Sequence, residues 1–224
     1  MKLQNLRRNA GIAAAALALS VSLAACGEDE PSGSDSTDNT SKTPDGADGA
    51  KADGAGAQTF GDGCANVPTS GAGSFDGMVK DPVATAASNN PLLKTLVAAV
   101  TSIDGLADTL NGAEALTVFA PFDGAFAEIP EADLNGLVME GQEKGQESTL
   151  YKILAHHVVG ANEDKDSIAG SQETLAGDKL TIEGDAESGM TVTDGTVTAN
   201  VICGNVPTAN ATVYVIDKVL TGVK

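Results

Sequence analysis

The stretch LTVFAPFDGAF, from Leu116 to Phe126, places a strand signal directly before a helix-start signal. Its first residues are apolar or β-branched, and this composition predicts a short buried strand. Proline cannot donate a hydrogen bond to a neighbouring strand, so we expect Pro121 to end the strand. Asp123 is then placed to cap a helical turn that carries Phe126 into the core. The stretch therefore predicts a strand that hands over to a helix within a few residues.

Helix signals lie on both sides of this stretch. Asp81-Pro82 and Asn90-Pro91 each pair a capping residue with a proline suited to the first helical turn. After the second pair, apolar residues recur at spacings of three and four, which predicts an amphipathic helix packed on a core. These residues are Leu92, Leu93, Leu96, Val97, Val100 and Ile103. Further along, Ser148 is placed to open a helix that continues to His157.

From Glu173 onward, apolar and polar residues alternate instead. The segments TLAGDKLTIEG and MTVTDGTVTANVI alternate around Gly-Asp and Asp-Gly turns, which predicts hairpins. The last such segment, Ala211 to Leu220, has apolar residues in both phases and predicts a strand buried on two faces. Because helices come mostly first and strands mostly last, the fold class is α+β rather than a doubly wound sheet.

The chain begins with the features of an export signal. Lys2, Arg7 and Arg8 precede a run of about fifteen small and apolar residues, fewer than the roughly twenty that a membrane-spanning helix needs. The run ends in Leu-Ala-Ala-Cys26, which resembles the lipobox of bacterial lipoproteins, where the cysteine thiol receives a diacylglyceryl group. We expect residues 1–25 to be removed and Cys26 to be lipidated. The alternatives are a short transmembrane anchor and an ordinary secretory signal that ends at Ala25.

Residues 26–59 are predicted to be the lipidated cysteine and a disordered acidic tether. After Cys26 the segment contains no Leu, Ile, Val, Phe, Tyr, Trp or Met, so it has no side chains with which to build a core. A flexible chain of roughly 33 residues reaches about 30 Å. Without the signal, 10 basic residues (13 − 3) face 31 acidic ones, a formal charge of −21. Such a surface repels nucleic acid, which we exclude as a partner.

Two of the stretches above resemble the two signature blocks of the fasciclin domain. They are Leu116–Phe126 and Ala209–Leu220, and between them Ala155–Val159 resembles the Tyr-His-Val element of the family, with His157 at the position of its histidine. His156 stands where the family has tyrosine. The resemblance covers roughly residues 63–224, and it identifies residues 60–224 as a single fasciclin domain.

A narrower likeness is to the secreted and lipid-anchored fasciclin antigens of mycobacteria and other actinobacteria. It is carried by DPVATAASNNP, from Asp81 to Pro91, and by Val201-Ile-Cys-Gly-Asn205. The resemblance implies a wedge of two small β-sheets flanked by helices and displayed at the cell surface. Family members are adhesion and matrix-binding modules without a recognised catalytic centre, so it also implies that the protein is not an enzyme and needs no cofactor.

Four further residues are candidates for a structural or binding role. Cys64 and Cys203 remain once Cys26 is lipidated, and the oxidising conditions outside the cell favour a disulfide between them. The Tyr-His region is implicated in integrin binding in some animal family members, which makes His156 and His157 candidate binding residues. A hydrogen-bonded core histidine is the alternative for His157, because it follows Ile153 and Leu154 on an apolar helical face.

The second signature block contributes two more candidate binding residues, Asn210 and Asp217. Each also has a structural explanation, since Asn210 can hydrogen-bond neighbouring loops and Asp217 interrupts an otherwise apolar strand. We expect no catalytic residues, because a disulfide-bonded Cys203 cannot act as a nucleophile beside His157.

One partial metal motif is present. Asn162, Asp164, Asp166 and Glu173 fall at positions 1, 3, 5 and 12 of a calcium-loop register, but Ser167 occupies the place of the glycine. A strand rather than a helix is predicted after Glu173. We therefore interpret the segment as a solvated acidic loop and expect no metal site.

These features predict a monomeric lipoprotein on the extracellular face of the bacterial cell membrane, with a fraction shed. The membrane is its first partner, through the lipid on Cys26. The second is a protein or polysaccharide at the cell surface, bound without catalysis. The alternative is a surface protein that binds a small apolar, lipid-like ligand in a pocket of the domain.

Overall fold

The computed structural model describes residues 54–223, which fold into seven α-helices and seven β-strands. The helices are α1 (Phe75–Met78), α2 (Val83–Asn89), α3 (Lys94–Thr101), α4 (Leu106–Gly112), α5 (Asp123–Phe126), α6 (Glu131–Lys144) and α7 (Thr149–His156). The strands are β1 (Leu116–Pro121), β2 (Val158–Val159), β3 (Gly170–Glu173), β4 (Lys179–Asp185), β5 (Gly189–Thr193), β6 (Thr198–Pro207) and β7 (Ala211–Ile216). The predicted α+β class is confirmed. None of the helices in this part of the chain is long and apolar enough to cross a membrane.

The strands form one sheet in the order β2-β1-β7-β6-β5-β4-β3. β1 and β7 pair in parallel, from Leu116 opposite Ala211 to Pro121 opposite Ile216, and the other neighbours are antiparallel. The two signature blocks therefore lie side by side, although about half of the described residues separate them in sequence. Pro121 is the last residue of β1 rather than the residue that stops it.

The two small sheets implied by the resemblance are the two halves of this continuous sheet. The first residues of β6 pair with β5, while Val201–Pro207 pair with β7 across two register shifts. Because β6 has 10 residues, it is long enough to belong to both halves. An isolated bridge between Val159 and Thr174 brings the two outer edges of the sheet together, so the sheet is nearly closed.

The buried side chains form two clusters, one on each face of the central strands. Leu116 and Ala120 of β1, with Val213 and Val215 of β7, pack against the helices. Phe119 of β1 and the alternate residues of β7 instead face the cluster enclosed by β4, β5 and β6. The two-faced burial predicted for the last strand is confirmed.

The capping predictions near α3 were wrong in two respects. Asn90-Pro91 was expected to start this helix, but α3 begins at Lys94, and Asn90 accepts a hydrogen bond from the Leu92 N–H at 3.0 Å instead. The carboxylate of Asp123 accepts the Thr95 N–H at 2.7 Å and caps α3 from across the fold. It makes no cap hydrogen bond to its own helix. The sequence shows that Asp123 is a capping residue, but not which helix it caps.

The folded part begins before the predicted boundary at residue 60. Gly54–Gly56 form a turn of 3-10 helix in which Gly56 is buried. The Ala55 N–H donates to Asp76 at 3.0 Å, and the Gln58 carbonyl accepts from the Asn205 side chain at 3.2 Å. Residues 54–59 lack large apolar side chains and are held through their backbone, which hydropathy does not reveal. The signal, Cys26 and most of the predicted tether lie outside the described residues.

A disulfide joins Cys64 and Cys203, as expected, across 139 residues of sequence. Cys64 lies in a 3-10 helix, Asp62–Asn66, that packs against β6. The approach is close: at Gly61, whose φ is 95°, a Cβ atom would come within 2.4 Å of the Ile202 carbonyl oxygen. The bridge thus ties the start of the domain to the strand that both halves of the sheet share.

Removing this bridge should destabilise the domain. Replacing Cys64 and Cys203 together with serine is expected to lower the free energy of unfolding by roughly 2–5 kcal/mol, because the open loop restores conformational freedom to the unfolded chain. Urea unfolding of residues 27–224 measures this change. A reductant should produce the same loss in the wild-type chain and none in the double variant. A loss below about 1 kcal/mol in both experiments would contradict the assignment.

Candidate functional site

His157 lies at the C-terminal end of α7 and is 3% exposed. Its Nδ1 is 2.7 Å from the Ile153 carbonyl oxygen, which can only accept, and its Nε2 is 3.0 Å from the Leu220 N–H, which can only donate. The ring is therefore the neutral Nδ1–H tautomer. Burial lowers its pKa to about 4, although the bond to Ile153 opposes this shift. His157 connects α7 to the segment after β7.

His156, the preceding residue, is also buried, and two carboxylates flank its ring. Nδ1 lies 2.7 Å from Asp178, and Nε2 lies 3.5 Å from Asp194, close enough for an ion pair but without hydrogen-bond geometry. Asp178 also accepts the hydroxyl of Thr174, and Asp194 accepts the N–H of Gly222 at 2.7 Å. Burial alone would raise the pKa of both carboxyl groups, but these hydrogen bonds and the nearby imidazole lower it. The histidine that replaces the family tyrosine thus links α7 to two turns of the sheet.

Asn210 and Asp217 lie at opposite ends of β7, and both make internal hydrogen bonds. Asn210 accepts the Val83 N–H and donates to the carbonyls of Leu110 and Ala113, each at 2.9 Å. Asp217 accepts the backbone and side-chain N–H groups of Asn200 at 2.7 and 2.6 Å. The bonds predicted for Asn210 to neighbouring loops are therefore present. The four candidate binding residues do not meet at one surface.

The acidic loop around Asp164 is stabilised by hydrogen bonds and an ion pair, most of them among its own residues. The Asp164 carboxylate accepts the N–H groups of Asp166 and Ser167, each at 3.0 Å. Lys165 pairs with Asp166 at 2.7 Å, and Asn162 accepts the Thr212 hydroxyl at the same distance. Nowhere in residues 54–223 are three or more His, Cys, Asp or Glu side chains grouped so that they could hold a metal ion.

The structure also contains an apolar groove, whose lining residues were not predicted from the sequence. Its walls come from α2, α3, α4, α7, β1, β2 and the turn between β3 and β4, and it encloses about 90 Å³. It reaches the surface, since Ser88, Thr101 and Thr109 line it and are exposed, as is Leu175 at 53%. The signal that could have indicated it is the alanine content of α2, where Ala84 and Ala87 line the groove, because short side chains fill less of the space between packed elements.

The lining of the groove is uncharged. Among the described residues that form its walls, none is Asp, Glu, Lys or Arg, although the whole chain contains 31 acidic residues. A concave, mostly apolar surface with a few polar groups is the usual form of a binding site for a small molecule. The groove, rather than the polar candidates, therefore has the geometry of a site.

The parallel pairing of two signature strands within this α+β arrangement is the architecture of a fasciclin domain. A family model described as the fasciclin domain matches residues 91–222, more than half of the chain. The chain belongs to the fasciclin domain family.

The relatives that match include cell-surface proteins of mycobacteria. The chain is 38% identical over 220 residues to the cell surface glycolipoproteins MPB83 of Mycobacterium bovis and MPT83 of Mycobacterium tuberculosis, covering 94% of this chain and 93% of each relative. It is 40% identical over 167 residues to the immunogenic protein MPB70 of M. bovis, covering 71% and 80%. A solved FAS1 domain pair from the insect cell adhesion molecule Fasciclin I matches with a TM-score of 0.45 and 23% identity, over 58% of this chain and 44% of that one.

Acid should destabilise the domain through His157. Its folded pKa of about 4 lies below the ordinary value of 6.5, so between these values the unfolded chain binds a proton that the folded chain does not. The free energy of unfolding should therefore fall as the pH drops from 6.5 to 4, by about 3 kcal/mol in total. Urea unfolding at pH 7.5, 5.5 and 4.5 measures the slope.

A His157→Gln variant identifies the source of this slope. It should be less stable than wild type at pH 7.5 but should lose less stability on acidification. Asp178 and Asp194, whose pKa values are lowered from 3.8, contribute only below this window. An unchanged slope in the variant would show that His157 is not responsible.

Proposed function

We propose that this protein is a non-enzymatic fasciclin module, anchored by lipid to the outer face of the bacterial cell membrane, that binds a protein or polysaccharide at the cell surface. The observation that supports this most strongly is the extent of the similarity to the cell surface glycolipoproteins, which covers 94% of the chain. The similarity therefore includes the region before the domain. In this proposal the lipid holds the protein at the membrane and the domain binds the partner.

The length of that alignment also supports the anchor on Cys26. At most about 13 residues of this chain (6% of 224) fall outside it, so Cys26 lies within it. The relative is named a glycolipoprotein, and in this chain Leu23-Ala24-Ala25-Cys26 has the lipobox pattern. Between the anchor and the first described residue, Gly54, a flexible chain of about 28 residues would reach roughly 30 Å.

Replacing Cys26 with serine should abolish lipidation, because only a thiol can form the thioether. Cells that express the full chain and are fed radiolabelled palmitate should label the wild-type protein and leave the Cys26→Ser variant unlabelled. In detergent phase partitioning, the wild type should enter the detergent phase. A Cys64→Ser, Cys203→Ser variant is the matched control, since it lacks the other two thiols and should keep the label. Label that persists in Cys26→Ser would refute the anchor.

The mature chain without its lipid, residues 27–224, should bind saturably to isolated cell envelope or host matrix at physiological salt. Quantitative binding of the labelled chain to immobilised material measures this. Treating the surface with protease or with glycosidases distinguishes a protein partner from a polysaccharide. Heat-denatured chain is the control for contacts that depend only on its charge. Binding that is non-saturable and equal for native and denatured chain would contradict a folded binding surface.

A second candidate function is the binding of a small apolar ligand at the cell surface. The observation that favours it is the uncharged groove between the helices and β1. Native mass spectrometry of the protein purified from its own cells tests it, through an added mass that is removed by organic solvent. A single unmodified mass under gentle conditions would count against this function.

A further inference from the structure

We propose that the apolar groove binds one unbranched aliphatic chain whose end group is uncharged. This inference rests on the second candidate function and names the chemical class of its ligand. It follows from what the walls of the groove offer, from the size of the space and from the charge around it.

Three of the four hydroxyl side chains in the walls have already used their donors, and the fourth belongs to Tyr151. Ser88 donates to the Ala84 carbonyl at 2.8 Å, Thr101 to that of Val97 at 2.8 Å, and Thr109 to that of Gly105 at 2.9 Å. Each of these bonds runs back to the preceding turn of the same helix. A sugar or a peptide backbone needs several partners, and in the groove it would exchange its hydration for at most the single Tyr151 hydroxyl.

His157 also lines the groove and is unable to bind a polar ligand. Both of its ring nitrogens are used, one by Ile153 and the other by Leu220. Its neutral tautomer adds no charge. The groove therefore presents mostly hydrocarbon, a surface that selects an apolar ligand over a polar one.

The size of the space indicates how much of a ligand enters. Its 90 Å³ is well below the roughly 300–1,000 Å³ of pockets that enclose drug-sized ligands. It is closer to the apolar cavity of about 150 Å³ that binds benzene. A single alkyl chain can enter by its end, whereas a whole lipid or a fused-ring molecule cannot. The rest of the ligand must stay outside, where Leu175 lies exposed.

The charge of the chain determines which end group can stay outside. After loss of the signal the formal charge is −21, so a carboxylate held at the surface is repelled. The groove itself supplies no cation to offset this repulsion. A neutral end group avoids it, and the difference between neutral and anionic ligands should shrink as salt screens the charge.

Displacement of a neutral fluorescent probe tests the proposal with the mature chain, residues 27–224. Parinaryl alcohol, an uncharged and unbranched fluorescent polyene, should bind saturably, and 1-alkanols should displace it. Their affinity should rise about fourfold for each added methylene and then level off when the groove is full. Decanoate should bind at least tenfold more weakly than 1-decanol at low salt, and this gap should narrow in 0.5 M salt.

Two matched variants locate the site. Ala107→Leu adds bulk to a half-buried wall residue and should weaken 1-decanol binding at least tenfold, whereas Ala132→Leu, on the exposed side of α6, should change it less than twofold. Urea unfolding confirms that both variants are folded. Equal binding by the two variants, absence of saturable binding by wild type, or tighter binding of decanoate would each overturn the proposal.

The cell-surface assay distinguishes this proposal from the binding of a macromolecule. If the groove holds an aliphatic chain, Ala107→Leu should bind envelope or matrix as wild type does. If instead 1-alkanols fail to bind and Ala107→Leu loses a protease-sensitive surface partner, the groove docks a protein and the aliphatic ligand is refuted. If wild type does not bind the cell surface but 1-alkanols still displace the probe, the surface-binding function is refuted and the aliphatic ligand is supported.

Discussion

The parallel pairing of β1 with β7 is the contact on which the rest of this domain depends. It joins Leu116–Pro121 to Ala211–Ile216, and both strands are buried on their two faces. One face of the pair packs in the cluster formed with the helices, and the other packs in the cluster enclosed by β4, β5 and β6. All of the elements between the two strands, from α5 to β6, form the crossover that connects them. Because neither strand has a solvent face, the pair forms only when both clusters close around it.

The four polar candidates from the family resemblance make contacts at the ends and edges of this strand pair. Asn210 holds two helices to the start of β7, and Asp217 holds β6 to its end. His157 connects α7 to the chain beyond β7, and His156 connects α7 to Asp178 and Asp194. A buried polar group without a partner is costly, so groups that satisfy several backbone atoms are hard to replace. In the described domain each of these residues makes internal contacts, and the apolar groove is a concave surface with the geometry of a site.

Much of the fold could be predicted, and the errors have physical causes. Periodicity located β1, the later strands β4 to β7, α3 and α7, whereas α1, α4, α6 and β2 were not predicted. Ser148 caps α7 as expected, with its hydroxyl accepting the Tyr151 N–H at 3.1 Å. Asp123 was assigned to its own helix because capping is ordinarily local, yet it caps α3. The groove was not located because it is bounded by residues from seven parts of the fold, and no single segment shows where they leave a gap. His156 departs from the family tyrosine, and its two carboxylate partners come from distant turns.

The sequence by itself determined the class of the fold, its family, the cysteines available for a disulfide and the strong negative charge. Each of these depends on composition, on local spacing or on a contiguous motif. Only the tertiary structure decided that the signature blocks are hydrogen-bonded neighbours, that the histidines are buried, and that an uncharged groove opens beside them. These features arise from contacts between residues far apart in the chain. Such contacts are set by how two-faced strands and one-faced helices close a common core, and no local pattern encodes that closure.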